Sequence, residues 1–353
     1  MRPSGTGVAA PKRFSSALRL PAMNYDVANA ARRVVESALG VVPGETVILL
    51  VDQARRDLGA ALEDVARNAG ATVELFTLED CAPRPLRHLP DVLTDALGRA
   101  QASVALFGYG DGERATRLEI LSLVKTLGLR HAHMVGITAR SMVPGFSVDP
   151  ARILDATRAV RMRIRPDSQL TLHSPAGSDL VARLDPRFRW VEQTGSVRPG
   201  RWENLPAGKI HTSPARVDGV FAADASVGEH FGATAGLLTR TPVLLEIEAS
   251  VCKSVRCVDR SLQREVEAHL KRDPNGDRVG TVTLGTNVGL LAPSGEIVCD
   301  LNLPGLHVSF GTPLPDQTGA TWTSRSQLVT AGALADVDLD GVPLLRAGRY
   351  LVT

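Results

Sequence analysis

The chain is short of several residue types, and each shortage closes a class of function. Four cysteines (Cys81, Cys252, Cys257 and Cys299) in 353 residues are too few for a disulfide framework. Cys252 and Cys257 have no His or second Cys pair at zinc-site spacing, so reduced thiols are expected. Aromatic residues reach only 4%, too few for the stacking platforms of a nucleic-acid binder. Neither charge is in excess: 40 Lys and Arg against 38 Asp and Glu leave +2, too balanced for a nucleic-acid or anionic-membrane surface. No run of about 18 apolar residues occurs, so no membrane-spanning helix is expected. The N-terminal stretch lacks the apolar segment of a secretory signal. A cytoplasmic protein with a flexible tail over residues 1–20 is the resulting expectation. Lysine is scarce as well. Lys12, Lys125, Lys209, Lys253 and Lys271 are outnumbered seven to one by arginine.

What remains is a globular composition, 44% hydrophobic and 22% charged, on a chain long enough for about two domains. Residues 26–39 carry apolar positions at helical spacing, and Thr46 to Val51 is a continuous apolar run of buried-strand type. Helices at 58–70, 90–100 and 117–127 then alternate with strands at 72–76, 103–107 and 133–137. That alternation predicts a parallel sheet covered by helices on both faces, an α/β domain over 21–200. From 201 to 353 the texture becomes β-rich, α+β. Strands are expected at 217–222, 242–249, 281–284, 306–310, 327–330 and 349–352, with one helix at 261–272.

Several segments together carry a resemblance. They are Val42-Pro43-Gly44-Glu45, the helix from Arg117 leading to Gly136-Ile137-Thr138, and His173-Ser174-Pro175-Ala176-Gly177-Ser178-Asp179-Leu180. Pro199-Gly200-Arg201-Trp202-Glu203-Asn204-Leu205-Pro206-Ala207-Gly208, Leu284-Gly285-Thr286-Asn287 and His307-Val308-Ser309-Phe310-Gly311 complete the set. In this order the chain resembles the M29 family of metal-dependent aminopeptidases (the aminopeptidase T type) and their relatives, the dihydroxypyridine ring-cleaving dioxygenases. The resemblance implies a two-domain, homodimeric fold whose second domain supplies metal ligands. These are a Glu straight after the NLPAG element, a Glu seven residues before a His, that His, and a final His-x-Asp. A Tyr shortly after the first His assists catalysis. Such carboxylates and imidazoles hold the divalent metal that makes water nucleophilic.

The sequence departs from that pattern at the ligands themselves. Lys209 follows Gly208 where the first Glu is implied, Asp300 stands seven residues before His307, and no His occurs after His307. Val329 and Ala331 fall where the last pair is implied, and the next Tyr is Tyr350. A cation in place of a ligand repels a divalent ion, so no cofactor is expected. A buried ion pair between Lys209 and Asp300, beside His307, would fill the emptied site.

Other constellations have plainer readings. His131-Ala132-His133 reads as a core or solvated pair. Phe107 to Gly112 lacks both the P-loop and the dinucleotide fingerprint and reads as a tight turn. Asp336, Asp338 and Asp340 read as a strand ending in an Asp-Gly turn, not as a calcium loop.

The expected function is therefore a non-catalytic, peptide-binding protein on a metallo-aminopeptidase scaffold. Its cleft is expected to hold an extended peptide, such as a ribosomal precursor peptide of a natural-product pathway, along strand edges. Lys209, Asp300, His307, Asn204 and Asn287 are the expected vestigial-site and peptide-binding residues. Two alternatives stand beside it. One is a metal-independent enzyme using Lys209, Asp300 and His307; the other is a metallohydrolase with ligands drawn from Glu203, His211 or His230.

Overall fold

The computed structural model describes residues 25–351 apart from 109, 111, 230 and 232–234. The tail expected at 1–20, His230 and two residues of the Phe107–Gly112 turn lie outside the described residues.

The described residues open with the helix Tyr25–Arg32, which widens into a π-helical turn over Arg33–Ala38. Then β1 (Thr46–Val51), β2 (Thr72–Thr77), β3 (Ala102–Leu106) and β4 (Arg130–His133) pair in parallel in the order β2-β1-β3-β4. The continuous apolar run of β1 follows from its place: both faces are covered. Val47, Leu49 and Val51 pack with Val34, Leu62 and Ala66 on one side. Ile48 and Leu50 pack with Leu93, Leu97 and Ile120 on the other. The strand expected at 133–137 lies at 130–133 instead, because the buried strand tolerates two histidines. His131 Nδ1 lies 2.8 Å from Ser103 Oγ and its Nε2 3.4 Å from His133 Nδ1, so the pair belongs to the core.

After the helix Pro150–Arg163 the chain forms β5 (Gln169–His173), β6 (Asp179–Leu184) and β7 (Val191–Gln193). It returns to the parallel sheet as β8 (Arg201–Asn204), beside β4, and leaves again as β9 (Lys209–Thr212). A division at residue 200 is thus not where the sheets divide. The alternation of buried Leu170 and Leu172, and of Leu180, Ala182 and Leu184, gives β5 and β6 a single apolar face. That face joins the second core.

The rest is antiparallel: β10 (Pro214–Ala223), β11 (Ser226–Val227), β12 (Val243–Glu248), β13 (Val251–Arg256), β14 (Val279–Gly285) and β15 (Gly305–Gly311). The last strands are β16 (Gln327–Ala331), β17 (Asp336–Leu339), β18 (Val342–Arg346) and β19 (Arg349–Tyr350). They form an eight-stranded sheet, β13-β12-β10-β6-β5-β17-β18-β19, and a six-stranded sheet, β11-β16-β15-β14-β9-β7. The two share one core, in which Leu180, Phe221 and Leu245 of the first meet Ile210, Leu284 and Val308 of the second. The acidic run at Asp336 to Asp340 is hairpin chemistry. Asp338 pairs with Arg346, and Asp340 accepts from Gln169 N–H and Ser168 Oγ. Among the described residues no helix is long and apolar enough to cross a membrane.

Candidate functional site

Strand alternation sends every second residue of the six-stranded sheet away from the core. Gln193 lies opposite Lys209, and His211 opposite Thr283, which in turn lies opposite His307. Ser309 faces Val329 one row on. Against this face lies a cavity of about 200 Å³, walled by Lys209, His211, Thr283 and Ser309 from the sheet and by Gln193 and Gln317 beside them. Trp202 and Asn204 of β8 and Ile297 of the short helix Ile297–Asp300 close the other side. The cavity sits where the parallel layer meets the antiparallel one.

Lys209 is 7% exposed. Among the described residues its ammonium makes no ion pair and no hydrogen bond. Burial pulls its pKa down to about 8, opposed by the carboxylates of Glu203 and Glu229. Glu203 does not neutralise it: burial raises the Glu203 pKa, and one carboxylate oxygen takes the Gly195 N–H at 2.6 Å. Glu229, on the rim, stands 3.5 Å from Arg117. His211 Nε2 is buried without a hydrogen-bond partner among the described residues. Burial first, then the Lys209 charge, brings that imidazole down to about 4, with the Gln317 amide opposing. The site thus joins an amine without an ion pair among the described residues, a neutral imidazole, several uncharged hydrogen-bonding groups and, at the rim, the Glu229 carboxylate.

No family model matches the chain, and no curated protein matches it in sequence. Two solved structures match it over nearly their whole length. AmpT from Thermus thermophilus superposes with a TM-score of 0.66 at 19% identity, over 93% of this chain and 99% of that one. The 2,5-dihydroxypyridine dioxygenase of Pseudomonas putida KT2440 gives 0.63 at 19% identity, over 94% and 99%. The chain has the M29 aminopeptidase-like fold. At this identity the likeness is one of fold, and the chemistry rests on the residues present.

On this M29-like scaffold the described residues do not fit a metal ion. Lys209 offers a cation. Both Asp300 oxygens are taken, one by Ser294 N–H and Oγ at 2.7 Å each and the other by Gly295 N–H at 2.9 Å. His307 is held at both nitrogens: Nε2 donates to Leu303 O at 2.9 Å and Nδ1 accepts from Gly332 N–H at 3.3 Å. Burial holds it neutral, with a pKa of about 4. Among the described residues no three His, Cys, Asp or Glu side chains converge as a ligand set. The expected Lys209–Asp300 ion pair is likewise not formed: the Ser294 and Gly295 amides and the Ser294 hydroxyl take the Asp300 oxygens. Tyr350 donates to Gly285 O at 2.7 Å and serves the sheet.

Of the five expected residues, Lys209 and Asn204 line the cavity and the other three brace it. Asn287 Nδ2 donates to Gly145 O and Ala207 O at 2.9 Å each, and its Oδ1 accepts from Gly289 N–H. Gly208, at φ +118°, lets the backbone approach so closely that a Cβ there would lie 2.8 Å from Asn287 N. The NLPAG and GTN elements are therefore a clamp that sets Lys209 in place. Asn287→Ala leaves two buried carbonyls and an N–H unpaired, and is expected to cost about 3 kcal/mol, measured as a lowered urea midpoint. Strand β15 is paired on both sides, by β14 and β16, so it offers no edge to an extended peptide. Gln193, Gln317 and Glu229 had no local sequence signal; tertiary pairing alone brings them to the cavity.

Proposed function

We propose that this chain is a peptide-binding protein that holds the carboxylate end of a peptide in the cavity at Lys209 and leaves it uncut. Its main support is the buried ammonium of Lys209 on a polar wall, without an ion pair among the described residues. A buried cation is stabilised by an anion that arrives with its own hydrogen-bonding capacity. Gln193, Asn204 and Gln317 supply amides for the adjoining peptide groups. A cavity of about 200 Å³ takes a chain terminus and not a long extended segment. Asp300 and His307 do not join Lys209 as a catalytic trio, since backbone groups occupy both.

The ammonium form is the binding form. Because the Lys209 pKa lies at about 8, affinity is expected to fall by about tenfold per pH unit above that value. A titration of Kd from pH 6 to 9.5 checks this. The reading itself is tested by ultrafiltration of the protein with short synthetic peptides, followed by mass spectrometry. Peptides should be retained intact; loss of N-terminal residues from them would overturn it. The homodimer that the resemblance implies belongs to the same proposal, and light scattering at twice the 37.6 kDa chain mass checks it.

A further inference from the structure

We propose that Lys209 is also a carbonyl-capturing amine: a small aldehyde or ketone entering the cavity condenses with its Nζ to form an imine. This goes beyond peptide binding and does not depend on it, although one side chain serves both.

The geometry supplies what the reaction needs. The amine is buried, opens onto a cavity of about 200 Å³, and is tied to no described acceptor that would hold it as a cation. Glu203, Glu229, Cys299, His211 and His307 are the titratable groups around it. The Glu203 carboxylate is engaged by Gly195 N–H, and the Glu229 carboxylate pairs with Arg117. Next to the amine on the same sheet face, His211 Nε2 is buried and without a partner among the described residues, and Thr283 and Ser309 place hydroxyls in the same wall. These groups are suited to hold the oxygen of an adduct. Burial supports the reactivity: a lysine at about 8 is free base for about a tenth of molecules at pH 7, against about 4 in ten thousand for an ordinary lysine near 10.4.

In the step, the nitrogen lone pair adds to the carbonyl carbon, forming the C–N bond and turning the carbonyl oxygen into a hydroxyl that takes up the amine proton through water. The C–O bond then breaks and the hydroxyl leaves as water with a proton from solvent. Amine and carbonyl become imine and water, with no oxidant or reductant. The protonated imine keeps the positive charge where the ammonium stood.

The scarcity of lysine makes the test clean. The full chain is incubated at pH 7 with acetaldehyde and cyanoborohydride, which reduces the imine to a stable ethyl-lysine, and adducts are followed by peptide mass mapping. Lys209 is expected to label at least tenfold faster than Lys125, Lys253 and Lys271, which are exposed; the α-amine is read on its own peptide. Labelling of Lys209 no faster than the exposed lysines overturns the proposal, and that comparison needs no variant. K209R keeps the charge but forms no imine. If it retains peptide and loses the fast adduct, the two roles are separate. A fast adduct with no peptide retention sinks the peptide reading alone.

Discussion

Between pH 7 and pH 4 the protein is expected to lose several kcal/mol of stability, because four histidines are buried as neutral rings. Burial draws His131 well below its ordinary value, His133 to about 3, and His211 and His307 to about 4. Each ring is neutral in the fold, yet takes a proton near pH 6.5 once the chain unfolds. The unfolded state therefore binds more protons between pH 6.5 and about 4, and stability falls as pH falls through that window. For His211 and His307 the loss is about 2 kcal/mol each at pH 5 and about 3 at pH 4. Asp300, Asp224 and Glu203, whose pKa values burial raises, oppose it in part. Set against the typical 5–15 kcal/mol of a folded domain, four such terms decide whether the protein survives mild acid. Urea unfolding at pH 7, 6 and 5 measures the effect. A flat profile over that range would mean that the rings titrate in the fold as they do in the unfolded chain.

The second large effect is at Lys209, where function and stability are expected to move in opposite directions. A buried lysine held at about 8 destabilises the fold at neutral pH, since both states are charged there and only the folded one is desolvated. As pH rises from 8 toward the unfolded value near 10.4, the unfolded chain binds more protons and stability increases. Replacing the ammonium with an apolar group of similar length removes that penalty. Lys209→Met is thus expected to stabilise the protein by about 2–3 kcal/mol at pH 7. The same change removes the charged partner of the peptide carboxylate, worth about 2–3 kcal/mol, or a 30- to 150-fold loss of affinity. Urea unfolding and peptide titration of one variant check both. A destabilised K209M that still bound peptide would contradict the assignment on both counts.

The architecture was largely legible in the sequence, for physical reasons that particular residues show. Thr46 to Val51 could only be a strand buried on both faces, and its alternating halves do enter two separate cores. The Asn204–Gly208 and Gly285–Asn287 elements pointed to the right region, where they clamp β9 against the 286–302 segment. The site's details were less legible. His307 reads as a ligand by residue type, but Leu303 O and Gly332 N–H, both set by backbone folding, occupy its nitrogens. Asp300 reads as Lys209's partner by charge, but the turn at Ser294–Gly295 reaches it first. The sequence reading places a strand at 133–137. The pairing instead uses Arg130 to His133, because Ser103 Oγ compensates the buried imidazole of His131. In each case the deciding group is a backbone amide or hydroxyl whose position no local pattern encodes.

The most direct test of a cavity that recognises a peptide end is calorimetry with one peptide in two forms, as the free acid and as its C-terminal amide. At pH 7 the free acid should bind at micromolar strength, about −8 kcal/mol, and be recovered intact by mass spectrometry. The amide, which brings no anion to Lys209, should bind at least tenfold more weakly. Equal binding of the two forms, or recovery of a shortened peptide, would contradict the account.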